Sequence, residues 1–505
     1  MNANLLVIPV LAPLLAGLLC LLAPRPTAAR RALVAATLIG LIAVGVFLVS
    51  HVVGDGAMVL RIGGWAVPYG IVLVGDTLSV LLVTLAAITG LACVLYGMTE
   101  QTLAVEHPLR LPLMMFLLTG VNLSFLTGDL FNLFVAFEVM LLSSYALLTL
   151  EARAENSRQA WPYLVLNLVG SALFIAACGY TYSLFGTMNF AEISVRADAL
   201  VGDFRLTLLA ALFLLVFGMK AGLFPLYYWL PRSYPMLPSA TGAFFGGMLT
   251  KVGVYVLLRI FGTVLPPELT GLHQLIAWTG AATMFIGVLG AVSRYRVSEI
   301  LTYHIASQIG YMGLALGMFT TASFAATILF LAHNIIVKSA LFLVGGVIIR
   351  ANGTDELART GGLWRGAPWL GIAFFLLAAS LAGLPPMSGF WGKLYIVQAG
   401  FESGRWVLGA MAAFAGILTL MSMLKIMLAC FWRGDAATPV RWDGGARGMT
   451  AVCLGAALLS LGIGLAAGPA TKLALHAAEE TRDRAGYAAR VLGTNEINYP
   501  GKQLP

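Results

Sequence analysis

Five lysines lie inside long apolar stretches of the 505-residue sequence, and their chemistry needs an explanation. Lysine loses its proton readily when it is removed from water, whereas arginine keeps its proton in any protein environment. The chain has only seven lysines against twenty-three arginines, and we expect no arginine in these stretches. Buried lysines can take up and release protons where arginines could not. The five are Lys220, Lys251, Lys338, Lys393 and Lys425.

Carboxylates cannot pair with all of these lysines. A charge at the bilayer centre costs about 2.5–3.5 kcal/mol, so five would cost more than about 12 kcal/mol. That is comparable with the net stability of a whole domain, about 5–15 kcal/mol. Of the twenty-two acidic residues, we place only Glu138 in the middle of a helix, and we expect Asp76 and Asp129 to cap helix ends. Some lysines must therefore titrate or lie in hydrated cavities, as in a proton path.

Two histidines extend the set of candidate proton carriers. His333 precedes Lys338 by five residues, about 140° round a helix, so it could relay between that lysine and another group. His304 has the weaker case, because it could equally be a hydrogen-bonded core histidine. Lys425 is also weaker, since it is near a predicted helix end and could extend its amine to the interface.

The composition predicts an all-α, polytopic membrane protein. The chain is 60% hydrophobic and 10% charged, whereas soluble domains carry roughly 25% charged residues. The net charge of +8 is therefore no sign of nucleic-acid binding. Apolar runs of about 20 residues predict roughly fourteen transmembrane helices, the first being a spanning helix and not a cleaved leader. The predicted spans are 3–23, 32–53, 71–97, 110–127, 130–150, 161–186, 205–229, 239–262, 270–292, 300–318, 322–349, 368–400, 406–432 and 449–467.

Two of these spans contain helix breakers in a similar pattern. "AGLFP" at 221–225 parallels "AGLPP" at 382–386, with Lys220 just before the first and Lys393 shortly after the second. In lipid, an unwound turn persists only where protein or water satisfies its backbone. Broken helices in matching positions of two halves are typical of transporters with inverted repeats. We therefore predict that each break admits water, which the neighbouring lysine uses.

The loops predict an orientation. Fifteen arginines fall in the odd-numbered connections and five in the even-numbered ones, so the odd loops are expected on the cytoplasmic side and both termini outside. The residues from about 470 to 493 are expected to form an amphipathic surface helix. The five arginines of the even-numbered connections are Arg61, Arg196, Arg205, Arg259 and Arg405.

Several motifs resemble a known family over nearly the whole chain. They include "FNLFVAFEVMLLSSYALL", "KAGLFPLYYWLPRSYPMLPSATGAFFGGMLTKVGVY", "HNIIVKSALFL" and "GLPPMSGFWGKLYI". They are similar to the proton-translocating antiporter-like family, which includes the large subunits of multisubunit Mrp cation/proton antiporters and the antiporter-like subunits of respiratory complex I. The resemblance implies a fourteen-helix fold with two inverted five-helix repeats, each with a broken helix.

The resemblance also implies roles and domains. Glu138 and Lys220 correspond to the acid and base of one half-channel, Lys251 to the link, His333 and Lys338 to the continuing axis, and Lys393 to the terminal group. The implied divisions are helices 1–3 (1–109), the first repeat (110–265), the second repeat (266–432), and a last helix with a polar tail (433–505).

The implied function is that of a proton-translocating subunit of a Na⁺/H⁺ antiporter in the bacterial inner membrane. Its expected partners are other membrane subunits, H⁺, Na⁺ and the lipid bilayer, with no nucleic acid, cofactor or metal and no enzymatic activity. The alternative within the family is a proton-pumping subunit of a complex I-type oxidoreductase or a membrane-bound hydrogenase. A haem held by His304 and His333 is disfavoured, because no CxxCH, iron–sulfur cysteine set or GxGxxG motif is present. A third alternative is that the chain is an inert assembly scaffold.

Overall fold

The computed structural model describes residues 3–22, 25–150, 157–434 and 442–493. Within these ranges, eleven helices are long and apolar enough to cross a membrane. The chain is a nearly all-helical polytopic membrane protein. The helices of its first half are α1 (Ala3–Leu22), α2 (Ala28–Asp55), α3 (Thr77–Glu100), α4 (Arg110–Leu126), α5 (Leu130–Leu150), α6 (Ser157–Phe185), α7 (Phe190–Ala197), α8 (Phe204–Ala221) and α9 (Ser239–Val264).

Helices α9 and α12 form the centre of the bundle. The most apolar 18-residue segment of α9 is entirely buried, and 94% of the corresponding segment of α12 is buried. The count of fourteen spans, the inverted repeats and the domain divisions stay predictions. The remaining helices are α10 (Thr270–Ser293), α11 (Val297–Met318), α12 (Thr321–Asn352), α13 (Pro368–Ala382), α14 (Ser388–Glu402), α15 (Trp406–Trp432), α16 (Gly444–Leu465), α17 (Ala467–Arg482) and α18 (Arg484–Leu492).

Both predicted helix breaks are present. Helix α8 ends at Ala221, and the chain continues through three short helical turns between Leu226 and Met236. Helix α13 ends at Ala382, and α14 begins at Ser388. Each break begins at a glycine with positive φ, Gly222 or Gly383, and continues through proline, which lacks the N–H donor that a helix needs.

The span predicted over 71–97 begins too early. Val72–Gly75 is a β-strand that pairs antiparallel with Met58–Arg61, with Val72 opposite Arg61. Helix α3 starts only at Thr77, where the Asp76 carboxylate accepts a 2.9 Å bond from the Ser79 amide. The all-α prediction therefore omitted one small hairpin. Asp129 caps α5 through the amide of Asn132, also as predicted for a helix end.

The prediction that Arg259 lies in a loop is wrong. The expectation that no arginine lies in an apolar span is therefore wrong as well. Arg259 lies inside α9 with 3% of its surface exposed, 2.6 Å from the Asp76 carboxylate. The ion pair offsets the cost of burying its charge. The orientation in the membrane stays a prediction. Two of the arginines counted in the odd-numbered connections, Arg153 and Arg441, lie outside the described residues.

The predicted surface helix near the C-terminus is two helices, α17 and α18, rather than one. Each buries one face against the chain, with Ala477 and Val491 among the fully buried residues. The Glu480 carboxylate accepts a 2.9 Å hydrogen bond from the Thr77 amide, and Arg61 donates to the Val491 carbonyl. These contacts fix the tail against the start of α3 and the hairpin.

Candidate functional site

Lys220 lies in the last turn of α8, immediately before the break, and 4% of its surface is exposed. Its amine donates to the Asn167 carbonyl at 3.1 Å and to the Ser171 hydroxyl at 3.2 Å, both on α6. It also lies 5.9 Å from the centre of the Phe137 ring. The amine is thus held by neutral oxygens, which can solvate either protonation state of a lysine.

Glu138, on α5, directly follows Phe137, whose ring centre lies 5.9 Å from the Lys220 amine. Among the described residues, no ion pair within 4.0 Å includes Glu138. Its Oε1 atom is buried without a hydrogen-bond partner in that part of the chain. Glu138 therefore lies next to a residue that contacts Lys220, without forming a contact ion pair with that lysine.

Lys251 is fully buried near the middle of α9. Its amine donates to the carbonyl of Gly246, in a wider π-helical turn over Phe245–Leu249. Two residues further, Gly253 permits close approach to α8: a Cβ there would lie 2.6 Å from the amide nitrogen of Ala221. The helices that carry Lys220 and Lys251 therefore touch at the level of these two lysines.

Lys338 is fully buried on α12, and its amine donates to the Leu301 carbonyl of α11 at 3.2 Å. The π-helical turn that holds Lys251 packs against α12 beside Lys338, where a Cβ at Gly247 would lie 1.9 Å from the Ser339 hydroxyl oxygen. Lys338 is therefore the next member of the row after Lys251. Like Lys220, it has a neutral carbonyl rather than a carboxylate as its hydrogen-bond acceptor.

His333, on α12, and Lys393, on α14, both contact the break between α13 and α14. The Nδ1 atom of His333 is 2.8 Å from the Ser388 hydroxyl, and its ring lies 5.5 Å from that of Phe330. The Lys393 amine donates to the Ala382 carbonyl at 3.1 Å and lies 4.8 Å from the centre of the Tyr311 ring. Lys393 thus caps the carbonyl end of α13, where the helix dipole favours a cation.

The two weaker candidates have contacts of a different kind. His304 is buried, and its Nε2 atom is 2.6 Å from the Ser422 hydroxyl. It lies one turn from Leu301, whose carbonyl accepts from Lys338, so it is adjacent to the row. Lys425 donates to the carbonyls of Val292 and Arg294 at the end of α10, which is how a helix-capping lysine behaves.

The structure therefore brings six sequence candidates into one row. Glu138 and Lys220 form one end, Lys251 and Lys338 the centre, and His333 and Lys393 the other end. Several buried polar atoms near the row have no partner among the described residues, including both amide atoms of Gln308. Such atoms need water or another polar group, because an unsatisfied buried polar group is costly.

Sequence reasoning missed the neutral groups that hold the charged ones. Asn167 and Ser171 bind Lys220, and Ser380, Ser388 and Ser460 cluster beside His333. The signal for Ser380 and Ser388 was available, because they flank the break motif. Nothing local in the sequence relates Ser460 or Ser171 to the row. Over the described ranges, no three His, Cys, Asp or Glu residues are grouped to hold a metal ion.

Buried titratable groups beside two broken helices are typical of membrane proteins that transport ions. The chain belongs to the family described as NADH:quinone oxidoreductase/Mrp antiporter, transmembrane, whose model matches residues 127–419. A relative from Alkalihalophilus pseudofirmus (strain ATCC BAA-2126 / JCM 17055 / OF4), named as the D-type subunit of a Na(+)/H(+) antiporter, is 40% identical to it. That match covers 489 residues, 97% of this chain and 99% of the relative.

Two solved structures share the fold. A chain of the Mrp complex from Dietzia sp. DQ12-45-1b superposes with a TM-score of 0.89 at 30% identity, covering 97% of this chain and 99% of the other. A chain of respiratory complex I from Thermus thermophilus with bound NADH superposes with a TM-score of 0.80, covering 98% and 100%. At 24% identity, the second likeness concerns the fold alone.

Proposed function

We propose that the chain is the proton-conducting D-type subunit of a multisubunit Na⁺/H⁺ antiporter. The observation that carries the proposal is the buried row of lysines, held by neutral oxygens, in a chain 40% identical to a relative of that name. A lysine solvated by carbonyls and hydroxyls can change its protonation state, whereas one locked to a carboxylate is held in its charged form.

The proposed path runs from Glu138 and Lys220 through Lys251 and Lys338 to His333 and Lys393. Protonation of Lys220 alters its electrostatic interaction with Glu138. The change in charge then acts on Lys251 and Lys338, and on Lys393 at the far end. His304, beside Lys338, is a secondary member of this proposal, and Lys425 is proposed to have mainly a capping role at the end of α10.

Other membrane subunits are the proposed partners, in a bacterial inner membrane and with both termini outside. We propose a transporter subunit with no catalytic chemistry of its own. Among the residues that the structure describes, one carboxylate, Glu138, lies deep in the row, and hard cations prefer several oxygen ligands. Sodium is therefore proposed to cross through another of these subunits. The complex I-type alternative, which belongs to the same family, has less support, because the complex I chain is 24% identical to this one and the antiporter relative is 40% identical.

Transport in everted vesicles tests the proposal. Vesicles from an antiporter-deficient strain that expresses the whole set of subunits would be compared for wild type, Glu138→Ala and Lys220→Ala. The readout is the Na⁺-dependent collapse of an imposed pH gradient, with the assembled complex quantified in the same membranes. We expect both variants to assemble and to lose exchange. Exchange at the wild-type rate in both variants would overturn the proposed path and favour a scaffold.

A further inference from the structure

Three serine hydroxyls form a closed cluster beside His333, at the break between α13 and α14. Ser380 lies 3.0 Å from Ser388 and 2.9 Å from Ser460, and Ser388 lies 2.9 Å from Ser460. All three side chains are buried, with exposed fractions of 2% or less. They come from three helices, since Ser380 is on α13, Ser388 begins α14 and Ser460 is on α16. Packing of these helices, rather than local sequence, creates the cluster.

The backbone at the break is shaped to bring His333 into this cluster. Gly389 follows Ser388, and a Cβ at that position would lie 1.9 Å from the Ser380 carbonyl oxygen and 2.8 Å from the His333 ring. Only glycine leaves room there for the ring and the carbonyl together. The Nδ1 atom of His333 then lies 2.8 Å from the Ser388 hydroxyl.

The hydrogens of the cluster can be counted. It contains four contacts of 3.0 Å or less, three between serines and one to His333, but the three hydroxyls supply only three hydrogens. Each of the four contacts can be a hydrogen bond when Nδ1 carries a hydrogen and donates it to Ser388. When Nδ1 carries none, one contact lacks a hydrogen. The two states of Nδ1 therefore differ by one hydrogen bond within the cluster.

We propose that Ser380, Ser388 and Ser460 relay protons between His333 and Lys393, an inference that rests on the proposed function. Starting from the imidazolium form of His333, the proton on Nδ1 passes to the Ser388 oxygen, and the hydrogen that Ser388 carried passes to Ser460 or Ser380. His333 is left as a neutral imidazole with its hydrogen on Nε2. Ser380 lies two residues before Ala382, whose carbonyl holds the Lys393 amine at 3.1 Å. The last hydroxyl passes its hydrogen through a bridging water to the neutral amine, which becomes an ammonium. Only N–H and O–H bonds break and form.

A double variant separates a relay from a role in positioning His333. Ser380→Ala with Ser460→Ala removes two members of the cluster but leaves Ser388 in contact with His333. We expect normal assembly, and exchange reduced about tenfold or more, because a positioned proton-transfer group contributes roughly 10²–10⁴-fold. We also expect the pH dependence of exchange to shift. Exchange at the wild-type rate with an unchanged pH profile would overturn the relay and leave Ser388 as a positioning residue.

The matched control is Ser124→Ala with Ser194→Ala. Both serines are buried, and each hydroxyl donates to a carbonyl of its own helix, Gly120 and Ala191 respectively. This control is expected to exchange at the wild-type rate. A parallel measurement of Glu138→Ala distinguishes failure of the serine relay from failure of the whole proposed proton path. If Glu138→Ala abolishes exchange and the serine double variant does not, the relay alone fails. If Glu138→Ala retains exchange, the proposed path itself fails.

Discussion

Asp76 and Arg259 form a buried ion pair of 2.6 Å, with about 4% of each side chain exposed. Arg259 also donates to the hydroxyls of Ser79 and Tyr255, at 3.1 and 3.3 Å. The pair joins the start of α3 to the end of α9, the helix that carries Lys251. It thereby fixes the position of the central helix of the row.

Removing the charge of Asp76 should destabilise the fold strongly. Asp76→Asn keeps a residue that can cap α3. It nevertheless leaves Arg259 charged and buried without its partner, at an expected cost of about 3–5 kcal/mol. The amount of assembled protein in membranes should fall severalfold or more. Adding Arg259→Gln should recover much of it. Full assembly of the single variant would contradict this account of the pair.

The ion pair between Asp443 and Arg350 should contribute less, and only above acidic pH. The Arg350 guanidinium, 2.7 Å away, and the Ala446 amide lower the pKa of the Asp443 carboxyl below its ordinary value. A lowered pKa stabilises the folded state at pH values above the unfolded pKa of about 3.9, and the effect is lost as pH falls through the folded pKa.

We therefore expect Asp443→Asn to lower the stability of the purified protein at pH 7 by less than about 1 kcal/mol, because the pair is exposed and screened. Asparagine still caps α16, so only the charge is lost. Thermal unfolding of wild type and variant should converge as pH falls below about 4. A stability difference that stayed constant or grew in acid would show that the charge of Asp443 is not its source.

Lys425 should tolerate arginine. Its amine donates to the Val292 carbonyl at 2.7 Å and to that of Arg294, so it satisfies the end of α10. A guanidinium can donate to the same carbonyls but cannot release a proton. Lys425→Arg should therefore assemble and exchange within about twofold of wild type. Loss of exchange with normal assembly would place Lys425 in the proton path, as the weaker interpretation of the sequence has it.

The charged groups of the candidate site were readable from the sequence because each is costly in an apolar helix. Lys220 and Lys338 stand out against their neighbours, and the breaks are marked by glycine and proline. Arg259 was missed for a related reason. It lies near the end of an apolar run, where loop and helix look alike, and its partner Asp76 is 183 residues away in the sequence.

The neutral groups could not be found in the same way. A serine in a membrane helix is inexpensive, so Ser171 and Ser460 carry no local signal. Their roles depend on which helices pack together. The strand at Val72–Gly75 was missed because a short buried strand and the start of an apolar helix have the same composition.

The most direct test of a lysine-based proton path is replacement of its central member by arginine. Lys338→Arg keeps a positive charge and a donor for the Leu301 carbonyl, but it cannot release a proton. The exposed Lys472→Arg on α17 is the matched control. Na⁺-dependent proton flux would be measured in vesicles with equal amounts of assembled complex. We predict flux reduced to background in Lys338→Arg and unchanged in Lys472→Arg. Wild-type flux in Lys338→Arg would contradict the account.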